Sequence, residues 1–296
     1  TSLVQGDQTR EFNAIRQGVI DMAVGSTINW SPQIRELNLF SLPFLMPDYA
    51  AIDALTKGPV GERIFEIIQE NGYSRVAVLA LQLPFSLEVY EYVVPALRAA
   101  GIEIVVDETF PPGTSDITAM LVRAQNAQAD AILSLTYPGE SVMYMNQARE
   151  VGIEAPFQFV LVGPTIAFFS QIFGDAADGI VTIGHWSPNR EDWPGAREFF
   201  DDYTERFGFA PDYLDSVLAY MSVQILEQAV AEAGLDHAAL RRTISEGTFE
   251  TINGAISFEG VRNATTPTML LQLQGGVAEI VWPPEEATAD FLPIGP

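Results

Sequence analysis

The sequence predicts an α/β fold built on a doubly wound parallel sheet. Short apolar runs recur from Val76 onward, the pattern of strands buried on both faces. Segments with helical spacing separate them, and this alternation argues for parallel strands joined by crossover helices. Proline, glycine and polar residues punctuate the exits of the runs. The stretch from Ala129 to Gln147 shows all three features at once. Ile132 to Leu135 reads as a buried strand, Tyr137 lies just past its carboxyl end, Pro138-Gly139 turns the chain, and helix is expected from Ser141. In open α/β sheets ligands bind outside the carboxyl ends of the strands, so the ring of Tyr137 is a natural wall for a small molecule.

Residues 1–24 read as a helix followed by a strand, with Phe12, Ile15 and Val19 at helical spacing and Ile20 to Val24 extended. Gly25-Ser26-Thr27 is a loop at that strand's end. Leu37 to Phe44 is apolar but runs into Pro43 and Pro47, which predicts a packed, irregular segment. Short helices are expected at Ala50 to Leu55 and Val60 to Gln69, the second closed by Asn71-Gly72.

From Arg75 the alternation is regular. Strands are predicted at Val76 to Leu81, Ile102 to Val106, Ile132 to Leu135, Phe157 to Val162 and Gly179 to Ile183. The intervening helices are Ser86 to Ala100, a segment from Ser115 or Asp116 to Gln128, one running to Val151-Gly152, and Thr165 to Phe173. Pro95 inside the first of these is expected to kink it. Beyond Trp186, helices are predicted at Ala196 to Phe207, Tyr213 to Ala233 and Leu240 to Glu246. Thr251 to Glu259 and Thr268 to Gln274 alternate like antiparallel strands, and Val277 to Trp282 is a last strand before a proline-rich tail.

Composition narrows the function. Apolar residues make up 48% of the 296-residue chain and charged residues 18%, a globular balance. The formal net charge of −24 excludes the basic footprint of a nucleic-acid binder and disfavours a polyanionic membrane surface. Cysteine is absent, which removes disulfides, thiolate metal sites and thiol catalysis together. No run is long enough for a membrane-spanning helix. Because the first residue is Thr1, a processed or truncated start is expected.

Enzyme signatures are missing. His185 follows a strand and His237 starts a helix, without the spacing of a metal site. No nucleophile elbow, phosphate-binding loop or dinucleotide fingerprint occurs. Asp201-Asp202 and Glu285-Glu286 read as solvated charges, and Glu140 as a dipole-complementing acid at a helix start. No catalytic residue, metal or cofactor is expected.

Two family resemblances organise these readings. R-Q-G-V-I-D-M-A-V-G-S from Arg16, L-N-L-F-S-L-P-F-L-M-P-D from Leu37 and G-P-V-G-E-R-I-F from Gly58 resemble the extracytoplasmic solute receptors of TRAP transporters over residues 1–73. The arginine with which that family pairs a substrate carboxylate lies beyond the matching stretch. Ser26 falls where some of its members place a ligand-contacting acid. Residues 75–285 resemble the type I periplasmic binding proteins of ABC transporters, the Leu/Ile/Val-binding group. R-V-A-V-L from Arg75, A-A-G-I-E-I-V-V-D-E from Ala99, G-T-S-D-I-T from Gly113, Q-A-R-E-V-G from Gln147 and G-D-A-A-D-G-I from Gly174 carry that resemblance. Y-T-E-R-F-G from Tyr203 and G-T-F-E-T-I-N-G-A-I-S-F from Gly247 extend it.

The second resemblance implies a periplasmic-binding-protein type I-like lobe at 74–187. It further implies that 188–296 returns to the first lobe and hinge, and that a TRAP-like segment at 1–73 leaves that first lobe incomplete or composite. The apolar faces at Leu218, Met221, Ile225 and Val230 would then need another cover. It also implies ligand contacts at Phe85 and Tyr137; Trp186, which ends another strand, is a further candidate. Val162, or Thr165 if a gap is allowed, falls where amino-acid-binding members carry a glutamate for the ligand ammonium. An uncharged or carboxylate-bearing organic ligand suits that exchange better than an α-amino acid. The implied protein is a periplasmic or extracytoplasmic, monomeric solute receptor that captures a small organic ligand (amino-acid-like, carboxylate or amide) for an inner-membrane ABC (or TRAP) permease. A ligand-sensing module of the same fold and a non-functional hybrid of two receptor genes are the alternatives.

Overall fold

The computed structural model describes residues 59–259, 262–263, 265–266 and 268–294, together with 16, 17 and 19. The chain divides after Gly58, and all helices and strands with defined bounds lie in Pro59–Pro296. The expectations for 1–58, including Ser26 and the short helix at 50–55, fall outside the described residues.

A seven-stranded sheet runs through this unit in the order β10-β9-β5-β4-β3-β1-β2. Its parallel part comprises β1 (Arg75–Leu81), β2 (Glu103–Phe110), β3 (Ala131–Leu135), β4 (Phe157–Val160) and β5 (Val181–Gly184). β1, β3 and β4 are central and almost wholly buried, which is why they read as unbroken apolar runs. β2 is an edge strand and extends to Phe110, past the apolar run that predicts it. An edge strand needs only part of its surface buried, so Asp107, Glu108 and Thr109 are tolerated in it.

Helices cover both faces. On one side α1 (Pro59–Glu70) and α2 (Pro84–Ala99) pack on Val76, Val78, Ala80 and Leu133 through Ile67, Ile68, Val93 and Leu97. α2 is continuous through Pro95, which sits on its exposed face, where a carbonyl left without its partner reaches water. On the other side α3 (Thr118–Asn126), α4 (Pro138–Val151) and α5 (Ala167–Phe173) cover Ala77, Leu79, Leu81 and Ile132 through Leu121, Tyr144, Met145 and Phe169. α4 begins at Pro138 itself rather than at Ser141, because proline suits the first helical position. It ends at Gly152, whose left-handed φ of 74° closes the helix. The Asp130 carboxylate accepts from the backbone N–H groups of Ser74 (2.8 Å) and Arg75 (3.0 Å), which aligns the start of β1 with the start of β3.

The segment after 188 contributes two kinds of structure. β9 (Met269–Gln274) pairs antiparallel with β5, and β10 (Val277–Trp282) with β9, so this hairpin completes the large sheet. The tail folds back over it: Gln272 donates to the carbonyls of Gly179 (2.9 Å) and Leu292 (2.6 Å) and accepts from Leu292 N–H (2.9 Å).

The other part is α6 (Ala196–Phe207), α7 (Asp215–Ala233), α8 (His237–Glu246) and a small sheet of β6 (Thr248–Thr251), β7 (Gly254–Glu259) and β8 (Arg262–Asn263). The stretch from Thr251 to Glu259, expected as one strand, begins with the turn that joins β6 to β7. Met221 and Ile225 of α7 are buried against Phe249 and Ile256, with Leu218, Leu240, Ile244 and Phe258 at the margin. The cover expected to be missing from Leu218, Met221 and Ile225 is therefore supplied in part by α8 and the β6–β7 hairpin. The opposite face of α7, at Tyr220 and Val223, is exposed.

Candidate functional site

The carboxyl ends of β1, β3, β4 and β5 open onto one edge of the sheet, because these strands are parallel. Ala80 of β1 pairs with Leu135 of β3, so the exits of these two strands are neighbours. Tyr137 stands at the exit of β3 and is the N-cap of α4, with extended backbone (φ −85°, ψ 169°). Its ring is half-buried against the α3–α5 layer, and burial raises its phenol above the ordinary value. Phe85 follows the exit of β1, is half-buried in the first turn of α2, and leans on the opposite layer. The two rings thus come from adjacent strand exits and from either side of the sheet.

Beneath Tyr137 runs a string of hydroxyls that the sequence reading passed over. Ser134 Oγ lies 3.1 Å from Thr136 Oγ1, which lies 3.0 Å from Ser141 Oγ. Ser141 Oγ donates to the carbonyl of Tyr137 at 2.9 Å, and Ser141 N–H reaches the same carbonyl at 2.8 Å. All three hydroxyl residues are fully buried, and each finds its partner in the string. The signal was present in the sequence: Ser134 and Thr136 interrupt an otherwise apolar run at period two, on one face of the strand.

Thr165 and Trp186, the other candidate contacts, lie inside the protein. Thr165 is buried in the turn after β4, and its hydroxyl donates to the carbonyl of Val162 at 2.8 Å. Trp186 is fully buried after β5, stacked edge-on to Phe199 at 6.0 Å and tilted toward Tyr213 at 5.8 Å. Both support the edge from below instead of forming its surface. Val162 is half-buried at the exit of β4 and carries no charge. Glu140 in the first turn of α4 is the acidic side chain of this helix start, where it complements the dipole.

Two hollows lie elsewhere. One of about 750 Å³ runs between α6 and α7, walled by Phe199, Tyr203, Phe207, Tyr220 and Val223. Another, of about 930 Å³, is bounded by Arg190, Trp193, Arg197 and Thr288. Arg190 is held there by Asp192 at 2.5 Å and by Glu286, with its guanidinium 5.0 Å from the centre of the Trp193 ring. Neither hollow includes Tyr137 or Phe85.

The family model described as "Periplasmic binding protein" matches residues 47–277. A second, described as "Bacterial extracellular solute-binding protein, family 7", matches residues 2–80. Among curated proteins, Leu/Ile/Val-binding protein homolog 7 of Brucella melitensis biotype 1 is 24% identical over 230 residues, covering 73% of this chain and 57% of the relative. Homolog 8 of Brucella abortus (strain 2308) is 24% identical over 205 residues, covering 65% of this chain and 50% of the relative. The chain therefore spans little more than half the length of these relatives. Among solved structures, a leucine-binding protein from Thermotoga maritima MSB8 superposes with a TM-score of 0.58 at 22% identity, covering 74% of this chain and 63% of its own. A solute-binding protein of an ABC transporter from R. palustris in complex with benzoate gives 0.63 at 17% identity, covering 81% and 64%. One from Rhodopseudomonas palustris BisB5, in complex with 3,4-dihydroxybenzoic acid, gives 0.61 at 22% identity, covering 74% and 62%. These likenesses show that the fold is shared.

Proposed function

The chain belongs to the periplasmic binding protein family, and on that premise we propose that it is an extracytoplasmic solute receptor that captures a small organic acid for an ABC permease. The observation that carries the ligand class is the exit of β4 beside Tyr137. Val162 is apolar and Thr165 is uncharged and buried in its turn, so neither brings a carboxylate to a ligand ammonium. Tyr137 offers a ring face, and Phe85 extends the apolar wall at the next strand exit. A flat aromatic carboxylate fits such a wall, as do the benzoate and 3,4-dihydroxybenzoic acid bound by two of the structural neighbours. Ring stacking adds about 0.5–1.5 kcal/mol beyond area burial.

In this reading the protein is a periplasmic monomer that works by capture and release, without a chemical step. Residues 74–187 with β9 and β10 form the second lobe, and α6–α8 with β6–β8 correspond to segments that return to the first. The ABC assignment rests on the longer of the two family matches, 47–277 against 2–80.

Thermal unfolding with benzoate, 3,4-dihydroxybenzoate and leucine tests the reading. An aromatic acid at 100 times its dissociation constant should stabilise the protein by about 2.7 kcal/mol. Leucine should do less at the same concentration. Stabilisation by leucine alone would overturn the ligand class, and no shift with any of the three would overturn the receptor itself.

A further inference from the structure

We propose that Gly163 and Ser141 are positioning residues for Tyr137, and that the contact between them sets where its ring stands at the sheet edge. The inference builds on Tyr137 as a wall of the ligand site, but its physical basis is separate.

The phenol of Tyr137 has no hydrogen-bond partner among the described residues, so the ring is placed by its packing and by its backbone. That backbone is held at one point, the carbonyl, which accepts from both the N–H and the hydroxyl of Ser141. Whatever fixes Ser141 therefore fixes Tyr137. Two things do so. From inside, Thr136 Oγ1 meets Ser141 Oγ at 3.0 Å. From outside, the turn after β4 presses its backbone on Ser141 at Gly163.

The closeness of that approach is measured by what a side chain would meet. A Cβ on Gly163 would lie 2.2 Å from Ser141 Cβ, 2.6 Å from its Oγ and 3.3 Å from Phe169 Cδ2. Only glycine fits at one position, and only a small residue at the other. The turn itself has little freedom to withdraw. Leu161 N–H is bound to Ser134 O at 3.0 Å on one side, and Thr165 O accepts from Tyr213 N–H at 2.8 Å on the other. The exits of β3 and β4 are thus wedged together at one glycine–serine contact, and Tyr137 stands on the wedge. A larger residue at either position should move the ring and leave the sheet below in place.

The test is a size exchange followed at Tyr137. Carbon-13 tyrosine labelling, with the Tyr137 signal assigned by its loss in Tyr137→Phe, gives the titration midpoint of this phenol without any ligand. In Gly163→Ala the new methyl should push Ser141 and Tyr137 outward, so the midpoint falls toward the ordinary phenol value of 10.0. Benzoate binding should weaken in parallel. Gly163→Ala combined with Ser141→Gly removes the Cβ and Oγ that the methyl would meet at 2.2 and 2.6 Å, leaves the Tyr137 carbonyl its 2.8 Å bond from the backbone N–H at position 141, and should restore both readouts. An unchanged midpoint in Gly163→Ala, or a double variant as displaced as the single one, would overturn the proposal. If Gly163→Ala does not fold, Ser141→Thr decides: it keeps the hydroxyl and enlarges the other side of the same contact, and an unmoved midpoint there is equally fatal. Restored titration together with benzoate binding that ignores Tyr137→Ala would remove the ligand-site reading and leave the wedge standing.

Discussion

The indole N–H of Trp186 donates to the carbonyl of Ile252 at 3.0 Å. This bond joins the exit of β5 to the turn between β6 and β7, residues far apart in sequence and in different sheets. Around it Trp186 packs on Phe199 of α6 and on Tyr213 before α7. One side chain thereby ties the α6–α8 region to the large sheet. Trp186→Phe keeps most of the apolar contact but leaves the Ile252 carbonyl buried and unpaired. A buried acceptor without a partner costs about 1–3 kcal/mol, so urea unfolding should show a loss of that size. A loss below a few tenths of a kcal/mol would mean that the carbonyl finds another donor.

Tyr137→Ala removes the ring that the proposed ligand stacks on. At a stacking contribution of about 0.5–1.5 kcal/mol, benzoate should bind about two- to tenfold more weakly, with further loss from the apolar area removed. Isothermal titration with benzoate measures it. Undiminished affinity would take Tyr137 out of the site while leaving the family membership untouched.

Tyr213 makes stability depend on pH at the alkaline end. Burial is the main cause that pushes its phenol up to about 12; the nearby Glu279 carboxylate adds to the shift, while the Ala278 backbone and Arg197 oppose it. Its folded value therefore lies above the unfolded value near 10. A group that must stay neutral inside gives its full stabilisation below the unfolded pKa and loses it as pH rises through the folded one. Stability should accordingly fall between pH 10 and 12, by on the order of 2 kcal/mol from this residue. Tyr144, fully buried with its hydroxyl donating to Gln158 Oε1 at 2.8 Å, is shifted upward as well. Comparison with Tyr213→Phe isolates the first contribution. Because the Tyr213 hydroxyl is buried without a hydrogen bond at good geometry, that variant should be no less stable than the parent at pH 7 and less sensitive above pH 10. Parallel pH profiles for the two proteins would contradict this.

Gln272 is the clasp of the C-terminal tail, bonded to Leu292 through both its amide nitrogen and its oxygen. Gln272→Met conserves length but breaks both bonds, together with the one to Gly179 O. Amide hydrogen exchange should then speed up at Leu292 and its neighbours, with β1 and β3 unaffected. Uniform acceleration across the sheet would show that the tail is part of the global folding unit and not a strap upon it.

The parts of the fold legible in the sequence are those governed by one-dimensional pattern. β1, β3 and β4 are buried on both faces, so their apolar runs alone locate them. α4 carries its own start and stop signals in Pro138 and Gly152. Tyr137 was legible as the residue at a strand exit because such an exit in a parallel sheet is defined by local order along the chain. Boundaries failed where burial is partial: β2 runs through Asp107, Glu108 and Thr109 because an edge strand has an open side.

Pairings between distant segments were decided only by the folded structure. The alternation at 268–282 announces strands but cannot name their partner. It is β5 that takes β9, which makes the C-terminal hairpin part of the large sheet. The roles of Trp186 and Thr165 turned in the same way, since a residue after a strand can face outward or inward with no change in local pattern. Packing from Phe199, Tyr213 and Ile252 sends Trp186 inside. Gly163 and Ser141, well separated along the chain, show the same limit at the site itself. Each is an unremarked small residue in the sequence, and only the approach of two backbones makes their size matter. The sequence by itself determined the sheet, its exits and the aromatic ring at one of them. The tertiary structure decided which layers meet and which residue supports that ring, because those depend on distances across space that no local period encodes.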